Sequence, residues 1–157
     1  MLNVRRAEER DVPAVLDLLM QVNMVHHSAR PDLFRGPTTK YSPEELRALF
    51  ADDGSPVFVC EDGTGRVVGH AFCVLHQRKG DRLLTDIRTL YIDDICVDES
   101  ARRLGVGRAL YDRAVAHARV LGCYNVTLNV WECNPGAKRF YEAMGMSVQK
   151  TGMEVIL

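Results

Sequence analysis

One stretch constrains this chain more than any other. The apolar run 90–97, LYIDDICV, is followed at once by DESARRLGVGRALYD, which sets Arg102, Gly105 and Gly107 in an R-x-x-G-x-G spacing at the mouth of a helical repeat. Two glycines in a first helical turn cost roughly 1 kcal/mol each relative to alanine, so the fold must gain something from bare backbone there. The first amides of a helix have no partners within it and lie at the positive end of its dipole. Glycine lets a large anion reach them without meeting a Cβ, so the spacing reads as a cradle for a pyrophosphate. Leu110 stands where a dinucleotide-binding G-x-G-x-x-G would have its last glycine, and no Lys-Ser/Thr pair of a nucleotide-hydrolysing loop follows. An anionic ligand of another shape is implied. On the motif alone, a tight turn with no ligand remains the alternative.

The rest of the pattern surrounds this junction with strands and helices. LNVRR reads as a strand, and Asp11 as the cap of a helix with Val12, Val15, Leu16, Leu18, Leu19 and Val22 at helical spacing. Ser42, Pro43 and Glu45 form a capping box for a second helix that buries Leu46, Leu49 and Phe50. The turn-rich segment HHSARPDLFRGPTTKY between them reads as a surface loop. PVFVCEDGTGRVVGHAFCVLH reads as a hairpin turning at DGTGR. A helix over about 105–121 ends at Gly122, and YNVTLNVW, 124–131, alternates as a strand. Asn134 caps and Pro135 starts a further helix that stops at Gly145, and MSVQKTGMEVIL predicts two short strands around a Thr-Gly turn. Strands with interspersed helices predict an α/β domain on a mixed sheet.

Composition narrows the function classes. A chain of 157 residues, 46% hydrophobic and 26% charged, suits one domain, 1–157, with one sizeable core. The formal net charge of -1, with acids and bases interspersed, argues against nucleic acid as a partner. No apolar run approaches the roughly 18–20 residues a bilayer span needs, and MLNVRRAEERD is no secretory signal, so no membrane partner is expected. The five cysteines are scattered and never form C-x-x-C, which favours reduced thiols in a cytoplasmic protein over zinc or disulfides. No metal is expected.

The order of these elements, with IDDICVDESARRLGVGRALY and NVWECNPGAKRFYEAMGM quoted from it, resembles the GNAT acetyltransferase superfamily over nearly the whole chain. The resemblance implies a single domain whose mostly antiparallel sheet is splayed between its fourth and fifth strands, with helices on both faces. It implies acetyl-CoA as cosubstrate. The amides of Arg103, Leu104, Gly105, Val106, Gly107 and Arg108 would hold the pyrophosphate, with charge from Arg102 or Arg108. The free backbone of Ile95 and Val97 would pair with the amides of the pantetheine arm as with a peptide strand. Asn134 would lie beside that arm, and Tyr141 near the thioester sulfur.

Amine acetylation needs a neutral nucleophile and a protonated leaving group. A lysine-like amine of pKa about 10.4 costs roughly 4.6 kcal/mol to deprotonate at pH 7, and a carboxylate at the splay can accept that proton. Alternation on a regular strand places Asp93 with Ile95 and Val97, at the position of the family's acid. Asp94 is the second candidate, because a bulge exchanges the faces. Either acid can instead simply pair with a nearby cation. Tyr141 is the candidate proton donor to sulfur, against the plainer role of a boundary core tyrosine. Asn134 is explained equally by capping. His26 and His27 diverge by about 100° on a helix, which is poor geometry for one metal ion. With Arg30, Phe34 and Tyr41 they belong instead to the segment lining the acceptor pocket. Trp131 and Cys133 read as packing residues near the cofactor strand. The expected activity is direct acetyl transfer to a primary amine of a small molecule in a ternary complex. The alternatives are a protein or peptide acetyltransferase and a non-catalytic acyl-CoA-binding module; a homodimer is left open.

Overall fold

Helix caps and strand alternation produce nine main elements in a computed structural model that describes all 157 residues. They are β1 (Asn3–Arg6), α1 (Val12–Ala29), α2 (Pro43–Phe50), β2 (Val57–Glu61), β3 (Val67–Gln77), β4 (Arg88–Val97), α3 (Val106–Val120), β5 (Asn125–Leu128) and α4 (Pro135–Ala143). The strands form one sheet in chain order, antiparallel throughout except for the parallel β4–β5 pair. The expected α/β domain with a mixed, mostly antiparallel sheet and helices on both faces is the observed one.

The strands' alternation divides the core into two layers. Val57, Val59 and Phe72 pack with Val12, Val15 and Leu19 of α1 and Leu46 of α2 on one face. Phe58, Cys60, Ala71, Cys73, Leu90 and Ile92 pack with Val106, Leu110, Ala114 and Ala118 of α3 on the other. Each fully buried aliphatic or aromatic side chain contributes about 1.5–3 kcal/mol. The capping box on α2 forms as read: the Glu45 amide donates to Ser42 Oγ at 3.2 Å, and the Ser42 amide to Glu45 Oε2 at 2.8 Å.

Four expectations require correction. Asp11 stands at the start of α1 but does not cap it with its side chain. Its buried carboxylate accepts from Arg5 at 2.7 and 2.9 Å and from the Glu8 amide at 2.8 Å. The fifth strand ends at Leu128 and not at Trp131. The Asn134 amide donates to the Trp131 carbonyl at 2.9 Å, so the chain is already turning toward α4. The two C-terminal strands are absent. The last backbone bond is Met146 N–H to Tyr141 O, beyond which Val148, Met153, Val155 and Ile156 are exposed. Strand propensity without a ladder partner does not make a strand. The fourth correction concerns β4. Phe72 pairs with Asp94 and Cys73 with Ile92, so Asp93 is the extra residue of a bulge. Asp93 therefore does not share the face of Ile95 and Val97, which pack on the α3 layer.

Candidate active site

The early end of β5 opens the sheet. β5 pairs with β4 only over Thr89–Ile92, so the stretch Asp93–Val97 has a strand neighbour on the β3 side alone. The Asp98 amide donates to the Val68 carbonyl at 2.9 Å. Antiparallel alternation from that bond directs the backbone of Cys96 toward β3 and that of Ile95 and Val97 toward the open side. Two residues with free donors and acceptors thus line the opening.

At its end lies the glycine turn. None of the amides from Arg102 through Arg108 donates to another group of the protein. Arg103 at φ 64° and Gly105 at φ 84° adopt left-handed backbone, which turns this run of amides around the mouth of α3. Buried Val106 fixes the helix start, while Leu104 and the Arg102, Arg103 and Arg108 side chains are exposed. A Cβ on Gly105 would meet nothing within 4 Å, whereas one on Gly107 would meet Phe140 of α4 at 3.2 Å. Gly105 thus supplies the backbone conformation and Gly107 the close approach of two helices.

The side chains around the opening fall into two sets. Asp93 accepts from the Lys40 ammonium, and the Tyr41 hydroxyl approaches it to 3.5 Å. Burial would lower the Lys40 pKa, but Asp93 outweighs it and holds the ammonium charged. Asp94 accepts from Nε2 of His70 at 2.8 Å. Burial, reinforced by the Asp94 charge, pushes the Tyr141 phenol well above its ordinary value, so it stays protonated at neutral pH. Asn134 Oδ1 accepts from the Ala137 amide at 3.3 Å and so caps α4.

The loop after α1 forms the other wall. Phe34 stacks on His26 at 5.0 Å and meets the edge of Trp131 at 5.1 Å. His27 Nδ1 contacts the Phe34 carbonyl at 2.7 Å, and Asn23 donates to the Arg35 carbonyl at 2.8 Å, which ties the loop to α1. Arg30 pairs with Asp32 and, at 2.7 Å, with Glu154. Trp131 therefore belongs to this aromatic wall and not to packing along the cofactor strand. Burial pushes the Cys73 and Cys96 thiols up to about 12, and Cys133 is exposed. No three His, Cys, Asp or Glu side chains are grouped to hold a metal ion, and no helix is long and apolar enough to cross a membrane.

Residues 22–146 match the Acetyltransferase (GNAT) family, a span that takes in the acceptor wall, the opened sheet, the glycine turn and α4. The chain belongs to the GNAT family of acetyl-CoA-dependent N-acetyltransferases. Among its relatives, a glucosamine 6-phosphate N-acetyltransferase of Trypanosoma brucei brucei is 30% identical over 99% of this chain and 96% of that protein. Glucosamine 6-phosphate N-acetyltransferase 1 of rice is 42% identical over 65% of this chain, and the match spans 58% of the rice protein. A variant of the BH1408 protein from Bacillus halodurans superposes with a TM-score of 0.94 at 30% identity over 99% of both chains. The unpaired amides of this acetyltransferase and the free backbone of Ile95 and Val97 fit an anionic, amide-bearing cosubstrate such as acetyl-CoA.

Two residues escaped the sequence reading. His70 interrupts the apolar run Val67–Cys73, where an inward polar residue is the available signal of a buried hydrogen bond. Lys40 carried no local signal, since its partner is 53 residues away.

Proposed function

We propose that the acetyltransferase acetylates the primary amine of a small molecule by direct attack in a ternary complex. The observation that supports it is the meeting, at one opening in the sheet, of a peptide-like free edge, unpaired helix-mouth amides, two carboxylates and a protonated phenol. In this reading the amides of Arg103, Leu104, Gly105, Val106, Gly107 and Arg108 hold the pyrophosphate, with Arg102 and Arg108 adding charge. Ile95 and Val97 pair with the pantetheine amides, and Asn134 borders that arm. Acetyl-CoA supplies the activated acetyl thioester.

The protein's own groups then manage protons. The acceptor arrives as an ammonium and gives one proton to the Asp93–Asp94 pair. The free amine forms the C–N bond as the C–S bond breaks, and the second proton lost by nitrogen replaces the one that Tyr141 gives to sulfur. The products are the amide, a free thiol and one proton released from the carboxylate. His26, His27 and Phe34 face the acceptor.

An amino sugar phosphate heads the acceptor classes, because the relative that matches over nearly its full length is named for glucosamine 6-phosphate. The test is thiol release from acetyl-CoA over a panel of amino sugar phosphates, aminoglycosides, and peptides with free α-amines or lysines. Turnover highest with a small amine is the expected result. Turnover confined to peptides would favour the protein acetyltransferase, and cofactor binding without thiol release would favour the sensing module.

A further inference from the structure

We infer that His70 is a positioning residue that holds Asp94 as the proton acceptor of the reaction, while Asp93 fastens the acceptor loop. This inference rests on the acetyl transfer proposed above and assigns the roles within the acidic pair.

The bulge in β4 makes the assignment. In a regular strand the two acids would lie on opposite faces. Here Asp94 pairs across the sheet with Phe72, and Asp93 is the extra residue that reaches Tyr41, whose ring lies 5.4 Å from that of Phe72. Both carboxylates thus serve one side of the sheet, yet their partners differ. Asp93 is committed to the Lys40 ammonium, and both Lys40 and Tyr41 belong to the end of the loop that follows α1. The Oδ2 of Asp93 is occupied by that ammonium and approached by the Tyr41 hydroxyl, so this carboxylate is engaged in holding the loop. Asp94 has no cationic side chain of Lys or Arg on it.

The His70 ring is fully buried, and its Nε2 lies 2.8 Å from Asp94 Oδ2. An ionised carboxylate can only accept, so Nε2 carries the hydrogen. Nδ1 is buried with no partner, and an unpaired lone pair is less costly there than an unpaired N–H. The imidazole therefore donates to Asp94 through Nε2–H. It holds Oδ2 and leaves Oδ1 for the acceptor's ammonium. The ring itself is held edge-on by Phe72 at 4.8 Å. A fixed donor orients the carboxylate and leaves its second oxygen open to the acceptor.

The experiment compares His70→Leu, which removes the donor, with His70→Gln, which keeps an N–H of similar reach, in the wild-type and Asp94→Asn backgrounds. His70→Leu should lower kcat toward the level of Asp94→Asn, a loss of roughly 10²-fold or more, with KM for acetyl-CoA unchanged. His70→Gln should recover most of that loss. In the Asp94→Asn background neither change should cost further activity, whereas a purely structural role would reduce both backgrounds alike. Should the leucine variant not fold, His70→Asn, too short to reach Asp94, takes its place. Equal losses in both backgrounds, no recovery with glutamine, or full activity of Asp94→Asn would each overturn the assignment. A wild-type protein that releases no thiol with any amine would remove the proposed function, and this role with it.

Discussion

The turn that opens α3 and the loop that follows α1 border the same opened stretch of β4, but they are built from different parts of the polypeptide. The turn presents backbone amides from Arg102 through Arg108, held by a left-handed Gly105 and a buried Val106. The loop presents side chains, with Phe34 between His26 and Trp131, and Lys40 on Asp93. A backbone cradle needs only that no Cβ or charge intrudes, so a short local motif suffices to encode it. A wall of side chains gathers residues from α1, the loop, β4 and the segment after β5. The first arrangement suits a ligand common to a whole family, and the second an acceptor that differs among its members.

The sharpest test lies between the two regions. If Tyr141 protonates the departing sulfur, Tyr141→Phe should lower kcat by roughly 10²–10⁴-fold while calorimetric affinity for acetyl-CoA stays the same, because only the transition state uses the phenol. Wild-type turnover would remove Tyr141 from the chemistry.

Gly105→Glu probes the backbone side. Its side chain has open space, but the left-handed backbone costs about 1–2 kcal/mol of stability, and the carboxylate offsets the positive helix end. That end is worth up to about 2 kcal/mol to a bound anion, so affinity for acetyl-CoA should fall by roughly 30-fold. Unchanged affinity in a titration would break the contrast. Gly107→Glu is the less specific probe, because its Cβ presses on Phe140 and disturbs α3 against α4.

Phe34→Ala probes the other wall. Removing the ring that ties His26 to Trp131 loosens this wall. A loss equal to one aromatic contact, about 0.5–1.5 kcal/mol, should raise KM for the acceptor by roughly 2- to 13-fold with acetyl-CoA affinity unchanged. An effect on both ligands would show that the two regions are not independent.

The smallest effect concerns neither wall. Burial alone would raise the Asp11 pKa, but the Arg5 bonds and the Glu8 amide outweigh it and leave the carboxyl below its usual value. A depressed folded pKa contributes stability that is present above the unfolded value of about 3.9 and is lost as pH falls through the folded one. Asp11→Asn should therefore lower Tm at pH 7 and flatten the decline in Tm below about pH 4, seen by thermal melts across pH. An unaltered acid limb would deny Asp11 this role.

Adjacent residues alone determined much of this protein. The Ser42–Glu45 capping box, the Asn134 cap, the glycine turn and the two layers of core residues all follow from chemistry within a turn or from a repeat of 2 or 3.6 positions, which neighbours in sequence carry. Tertiary structure decided the rest of the site. One extra residue in β4 reversed the face of Asp93, and which residue is extra depends on pairing with β3, some twenty positions away. The opening depends on the end of β5 at Leu128, and Trp131 beyond it meets Phe34, a residue distant in sequence. The unpaired residues beyond Met146 make the same point in reverse, since the apolar stretch MEVIL promises a strand but only a neighbouring strand can supply the hydrogen bonds. Caps and periodicity are short-range, whereas register, bulges and the partners of His70 and Lys40 exist only once distant segments have met.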